Sequence, residues 1–361
     1  MLHTGGTPYE EGFQHGSLLR DRVRACFLDV WRDGFFRGSP LFPAWIWRAY
    51  AFLNHRFLSP DDRAELRGLA DGAGMRYSDV LVMNSQGPLE IAHAWLGACS
   101  QFAVGGRLVG RTLDTLGFGR LHRYEMLQVH HPARGFPYLT PGYAGKVLDA
   151  ISGWNARGLH VSQDVAEAPR PNPLGMYSGA LMRRVAQYCA TLDEAARMLA
   201  STRMAAAAKH VLLADGRDAR VVDLYNGAVA SRAARVLAIT NHFTCLRMGA
   251  SISSRLRLER LEQLVSDKVD ARAAIEILTD KLDLASGQVG GPSDNIVNWD
   301  GPRIARFGPF AVPPDLDARI RTTCATVSDL SAGTLWWGGG RAYVSAPEDF
   351  VPFDVPRLLE G

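Results

Sequence analysis

The chain has 361 residues, 47% of them hydrophobic, and 40 basic against 37 acidic side chains leave a net charge of +3. That size and composition suit a folded globular protein with a sizeable core, and they exclude disorder as the default state. A charge so close to balance also lacks the dense basic face that a phosphate backbone demands, so no nucleic acid partner is expected.

The N-terminus, MLHTGGTPYEEGFQHG, has no basic region followed by an apolar stretch. No later segment offers the roughly 18 uninterrupted apolar residues of a membrane span. A soluble, cytoplasmic protein without a membrane partner is therefore expected. Residues 10–36 carry apolar side chains at three and four spacing, and Ser59-Pro60-Asp61-Asp62 opens a further helix with N-cap chemistry, so residues 1–98 read as mostly helical. The aromatic residues between Phe35 and Phe57, among them Trp45, Trp47 and Tyr50, fit either helical core or the lining of an apolar pocket.

The character changes at Cys99. Two short apolar runs, Ser100 to Val104 and Leu108 to Leu113, flank Gly105-Gly106, which is the pattern of a hairpin. Further strand-like runs fall at 123–129, 158–163, 210–214, 219–225, 235–240, 322–329 and 334–337. Helical segments lie between them at about 178–201 and 252–281, with Thr191 and Asp270 as N-caps. The mixture predicts sheets with helices packed outside them. Residues 287–316, rich in Pro, Gly and Asp, read as a long loop.

The five cysteines, at 26, 99, 189, 245 and 324, form no C-x-x-C pair, and the ten histidines form no H-E-x-x-H or comparable spacing; even the adjacent pair His130-His131 sits before Pro132 at a strand end. No metal is expected. Cys26, Cys189, Cys245 and Cys324 read as small buried hydrophobes. Cys99 differs, because it stands at the threshold of a strand with an Arg-x-x-Asp soon after it. Thiol catalysis needs a base, and no local cysteine-protease signature supplies one. Were the chain cut between Ala98 and Cys99, the freed α-amine, with a reference pKa of roughly 7.7 to 8.0, could take the thiol proton from within the same residue.

Several segments together carry a family resemblance. GTPYEEGFQHG near the start, the Cys99 hairpin through GRTLDT, GWNARGL at 153–159, TLDEAARML at 191–199, TNHF at 240–243, SSRLRLERL at 253–261 and CATVSDLSAGTLWW near the end occur in order across nearly the whole chain. In these the chain resembles the isopenicillin N acyltransferase family, or acyl-coenzyme A:6-aminopenicillanic acid acyltransferases, of the N-terminal nucleophile (Ntn) hydrolases. A looser likeness extends to choloylglycine hydrolases and penicillin V acylases.

The resemblance implies an α+β fold, an αββα sandwich of two antiparallel sheets between helical layers. It also implies a precursor that cuts itself between Ala98 and Cys99 into a helical α piece, residues 1–98, and a β piece, residues 99–361, which together form one integrated fold. Cys99 matches the nucleophile and Asp114 the carboxylate that holds the new amine, the alternative for Asp114 being a strand-end carboxylate in a turn. Arg111 matches a cation that would favour the thiolate, with a surface or salt-bridge role equally open. Asn241 matches an oxyanion donor, and a backbone N–H near Ser162, Gln163 or Asp164 matches the second donor. Asn155 either supports the site or only shapes its turn. Arg255 resembles an active-site arginine of the wider superfamily, or else it is an exposed helix-start residue.

Two departures stand out. Ala98 replaces the glycine usual before the nucleophile, which narrows the backbone choices for cutting. Thr112 replaces a frequent asparagine, which leaves the substrate open. The implied activity is amidohydrolysis or acyl transfer through an acyl-Cys99 thioester, from a small-molecule amide or acyl thioester to water or an amine. No cofactor is needed, coenzyme A thioesters entering only as acyl donors. The alternative from another class is an unprocessed, non-catalytic binding protein that keeps the fold.

Overall fold

The computed structural model describes residues 1–36, 43–85, 98–116, 120–170, 172–205, 208–289, 295–297, 306–307, 310–311, 319–340 and 343–360. The first residues form a strand, β1 (Leu2–Gly6), followed by α1 (Pro8–Leu18), α2 (Arg20–Cys26) and a π-helical continuation over Phe27–Phe36. Helices α3 (Ala44–His55), α4 (Pro60–Ala73) and α5 (Tyr77–Asn84) follow among the described residues. The expectation of a mostly helical segment thus meets one exception. Two glycines in LHTGG mask the strand, which exists because it pairs in parallel with a partner far along the chain, Leu2 facing Gln128 and Gly6 facing Pro132.

Two sheets follow. Their strands are β2 (Ser100–Val104), β3 (Leu108–Leu116), β4 (Glu125–Pro132), β5 (Tyr138–Tyr143), β6 (Ser152–Asn155), β7 (His160–Val165), β8 (Ala208–Ala214), β9 (Ala219–Tyr225), β10 (Ala228–Ala233) and β11 (Val236–Ile239). After a short pair, β12 (Arg306–Phe307) and β13 (Phe310–Ala311), come β14 (Ile320–Asp329), β15 (Thr334–Gly338) and β16 (Phe350–Asp354). The larger sheet has the order β1-β4-β5-β6-β7-β8-β9-β10 and the smaller β11-β2-β3-β14-β15-β16. Apart from β1 against β4, every pairing in them is antiparallel. The later α-helices among the described residues are α6 (Ser178–Tyr188), α7 (Leu192–Ser201), α8 (Ile252–Leu264), α9 (Ala271–Leu278) and α10 (Val355–Leu359).

Strand alternation builds the layers. On β8, Val211 and Leu213 pack with Leu181 and Val185 of α6, whereas Leu212 and Ala214 point the other way, onto Ala103, Val109, Leu237 and Ile239 of the smaller sheet. On that sheet, Phe102, Val104 and Leu108 take the opposite face and pack with Leu261 of α8 and Ile277 and Leu278 of α9. Helices, sheet, sheet, helices is the αββα sandwich.

The opening motif proves to be packing chemistry. Thr7 caps α1 in a capping box with Glu10, and Ser59 caps α4 in another with Asp62. Gly12 and Gly16 of α1 face Gly68 and Gly72 of α4. A Cβ on Gly12 would lie 2.0 Å from the Glu65 carbonyl oxygen, and one on Gly68 the same distance from that of Tyr9, so the two backbones touch and no side chain fits between them. His15 accepts the Gly145 N–H through Nε2 at 2.8 Å, and Glu11 contacts His130. Both are buried structural residues joining the helices to the larger sheet.

Of the aromatic residues, Trp47 and Tyr50 are core, while Trp45 and Phe52 are exposed. The expected loop at 287–316 lies largely outside the described residues. No helix among the described residues is long and apolar enough to cross a membrane.

Candidate active site

Cys99 immediately precedes β2, and the hairpin register sets Ser100 opposite Thr112. This brings the thiol against the backbone of Asp114, whose N–H donates to Sγ at 3.5 Å while the thiol donates to its carbonyl at 3.9 Å. Both residues are buried, each 7% exposed. Burial pushes the thiol up to about 12, with Asp164 and Asp114 adding to the rise and Arg111 and the Asp114 N–H opposing it. The thiol is therefore protonated at neutral pH, and any attack by it would require a base. The Asp114 carboxylate accepts from the Thr322 hydroxyl, its facing residue on β14, beside a shift in strand register between Thr322 and Cys324.

Arg111 crosses from the smaller sheet to the larger. It donates to the Gln163 carbonyl at 2.8 Å and to Asp164 Oδ1 at 3.0 Å, both groups buried on β7. The arginine is buried rather than on the surface, its guanidinium forms an ion pair with Asp164, and its charge opposes the rise of the Cys99 thiol. Burial raises the Asp164 carboxyl, and Arg111 opposes that rise. Ser162 makes a second cross-sheet link, its hydroxyl donating to Gln101 Oε1 at 2.7 Å. The Gln163 N–H is committed to the Ile151 carbonyl at 3.0 Å.

Asn241 follows β11 and is fully buried. Its Nδ2 donates to the Val165 carbonyl at 2.8 Å, and its Oδ1 accepts from Arg257 Nη2 at 2.8 Å. A guanidinium only donates, so Arg257 fixes which end of the carboxamide is oxygen and leaves Nδ2 a second hydrogen. The same arginine donates through Nη1 to the Cys99 carbonyl at 2.5 Å and to Ser100 Oγ at 3.1 Å. Arg257 thus ties Cys99 to Asn241 directly.

Arg255 takes no such part, because it stands exposed on α8. The buried residues of that helix are Ser254, Arg257 and Leu261, at three and four spacing, and an arginine on that inward stripe was the signal for Arg257. Asn155 uses its whole carboxamide on structure: Nδ2 donates to the Ala186 and Cys189 carbonyls, and Oδ1 accepts from the N–H groups of Arg157 and Leu159. It pins the turn between β6 and β7 to α6. Thr112 accepts the Ser100 N–H at 3.1 Å, steadying the residue next to Cys99.

The family model described as acyl-coenzyme A:6-aminopenicillanic acid acyl-transferase matches residues 103–289, just over half of the chain. An uncharacterized protein of Archaeoglobus fulgidus is 28% identical over 238 residues, a match that takes in 56% of this chain but only 39% of that longer relative. Among solved structures, a penicillin V acylase from Agrobacterium tumefaciens is 16% identical with a TM-score of 0.39, over 67% of this chain and 82% of that one. The Caenorhabditis elegans ortholog of N-acylethanolamine-hydrolyzing acid amidase is 14% identical with a TM-score of 0.42, over 64% and 92%.

Proposed function

Because the chain belongs to the acyl-coenzyme A:6-aminopenicillanic acid acyl-transferase family, we propose that it is a self-processing Ntn amidohydrolase or acyltransferase with Cys99 as its nucleophile. The observation that supports this reading is Arg257, which holds the Cys99 carbonyl and the Asn241 carboxamide on one guanidinium and so ties the two residues together. In the first reaction the sulfur attacks the Ala98 carbonyl as the thiol proton passes to the peptide nitrogen, that nitrogen leaves as the α-amine of Cys99 when its C–N bond breaks, and water then releases residue 98 from the thioester as a carboxylate. That new amine, held by the Asp114 carboxylate, is the base missing from the uncut chain.

In each turnover the amine takes the thiol proton and the sulfur attacks an amide or thioester carbonyl. The oxyanion is held by the free N–H of Asn241 and a backbone N–H, and the leaving amine or thiol carries the proton away. Water or an amine then accepts the acyl group from Cys99. Linear amides and acyl thioesters, coenzyme A thioesters among them, fit this sequence of steps without a cofactor. A chain that stayed whole would keep a neutral buried thiol and could serve only as a binding protein of the same fold; its intact mass separates the two.

Asn241→Ala tests the centre of the scheme, because an oxyanion donor matters most where charge develops. In material confirmed by mass as cut, turnover on the best substrate from a panel of N-acyl amino acids, lactams and acyl thioesters is expected to fall by about 10² to 10³ with little change in KM. Turnover within about threefold of wild type would remove Asn241 from this role.

The base makes a second prediction. An amine must lose its proton to act, so the rate is expected to rise with pH through one ionisation near or below roughly 7.7 to 8.0 and then level. Each of the ten histidines is to be replaced singly. If one replacement abolishes that ionisation in folded, cut protein, the base is a histidine and the amine is not.

A further inference from the structure

Three ionisable residues stand in a row across the larger sheet, Asp164 on β7 facing His210 on β8, and His210 facing Asp223 on β9. All three are buried. His210 lies on the same side of β8 as Leu212, the side turned to the smaller sheet. Its Nδ1 meets Asp223 Oδ1 at 2.7 Å. The other carboxylate oxygen of Asp223 accepts three consecutive backbone N–H groups, from Thr244 at 3.0 Å, Cys245 at 2.6 Å and Leu246 at 3.1 Å. Burial alone would raise this carboxyl; His210 and the N–H groups of Cys245 and Leu246 outweigh it and hold the group below its ordinary value, so it stays an anion.

The segment gripped in this way is the one that carries Asn241. It leaves β11 of the smaller sheet, adopts no regular structure, and crosses to the larger sheet, where the Asn241 carbonyl accepts the Glu167 N–H at 2.6 Å and the Phe243 ring meets His210 edge-on at 5.1 Å. Three charge-assisted hydrogen bonds to successive amides fix backbone direction far more tightly than one would. An oxyanion donor is effective only when it is aimed before the charge forms.

We propose that Asp223, itself oriented by His210, is a positioning residue for Asn241: it fixes the backbone after Asn241 and so aims the carboxamide at the acyl carbonyl on Cys99. The inference rests on the oxyanion role of Asn241 given above. The row ends at Asp164, so the Arg111 pair beside Cys99 and the anchor of Asn241 are built on neighbouring positions of the same sheet.

The test uses the cut full-length protein and p-nitrophenyl acetate, an activated ester that requires no knowledge of the natural acyl group. Cys99 sulfur bonds to the acetyl carbon, p-nitrophenolate leaves with the electron pair of the broken C–O bond, and the thiol proton passes to the α-amine; the burst of p-nitrophenolate reports acylation, with Cys99→Ala as the blank. Asn241→Ala is expected to slow acylation by about 10². Asp223→Ala is expected to slow it by about tenfold or more at an unchanged half-saturating concentration, and to slow it by less than about twofold further when Asn241 is already alanine. Asp223→Asn, whose amide oxygen can face the three N–H groups, should recover most of the rate. Should Asp223→Ala not fold, His210→Phe, which fills the space but donates nothing to Asp223, carries the same cycle.

Additive losses, or an Asp223→Ala burst at the wild-type rate, would overturn the positioning role while leaving a slow Asn241→Ala variant, and the functional reading, intact. A wild type without a Cys99-dependent burst, or an Asn241→Ala variant at full rate, would overturn the reading of the site and the positioning role together.

Discussion

Cys99→Ala is expected to yield one uncut chain and no acyl transfer, and the wild type two chains, residues 1–98 and 99–361, in denaturing mass spectrometry. In the proposed mechanism both losses have one cause, because the sulfur that would cut the chain is also the later nucleophile, and cutting would create the amine that activates it. Before cutting, the thiol sits buried with a pKa of about 12 among two carboxylates and one guanidinium. Cutting would turn the amide nitrogen of Cys99 into a base on the same residue. The methyl of Ala98 narrows the approach of the sulfur to its carbonyl, so cutting should be slower than after a glycine, with uncut precursor visible early in expression. A wild-type preparation that remains whole and fully active would sink the mechanism.

The second large effect is expected at Arg257, and the contrast with Arg255 makes it decisive. Arg257→Ala leaves the Cys99 carbonyl and Asn241 Oδ1 buried without this donor, a cost of about 1 to 3 kcal/mol for each buried acceptor left unmade. It also lets the Asn241 carboxamide turn, so turnover should fall by about 10³ or more in whatever folded protein remains. Arg257→Lys should recover little, since a single ammonium cannot serve both oxygens as a planar fork does. Arg255→Ala, at an exposed position, should stay within about 0.5 kcal/mol and near wild-type turnover. Thermal melts and turnover of the three variants check this, and an Arg255 variant that is the more damaged would reverse the assignment.

That pair also measures how far the sequence could be read. The Ser-Ser-Arg run drew attention to residue 255, but successive residues of a helix turn about 100°, so Arg257 stands about 200° away, and helix phase decides which arginine is inside. The hairpin after Cys99 and the caps at Ser59, Thr191 and Asp270 were legible because their chemistry is local. Strands β1, β5, β6, β10 and β16 were not. Pro141 and Gly142 argue against β5, yet it forms because its pairing with β6 stops at Leu139, before the proline, while β4 pairs along its whole length. The buried β6 has four residues, too few to display a period, and β10 is a largely exposed edge without large apolar side chains other than Val229, paired among the described residues only with β9. The anchor at Asp223 likewise left no local mark, because its three amide partners lie more than twenty residues away in the chain.

The parallel seating of β1 beside β4 has a consequence for the life of the molecule. Among the described residues β1 is the outermost strand on that side of the larger sheet, and if the chain is cut as proposed no covalent bond would hold it there. Beneath it β4 is long and buried over most of its length, with Leu127 and Val129 packed inside. Stripped of its neighbour, β4 would offer a row of open N–H and C=O groups to any extended chain, a second copy included. In the proposed cut form the piece before Cys99 would thus guard against aggregation, and residues 99–361 expressed alone should gather into insoluble strands unless the piece 1–98 is supplied with them.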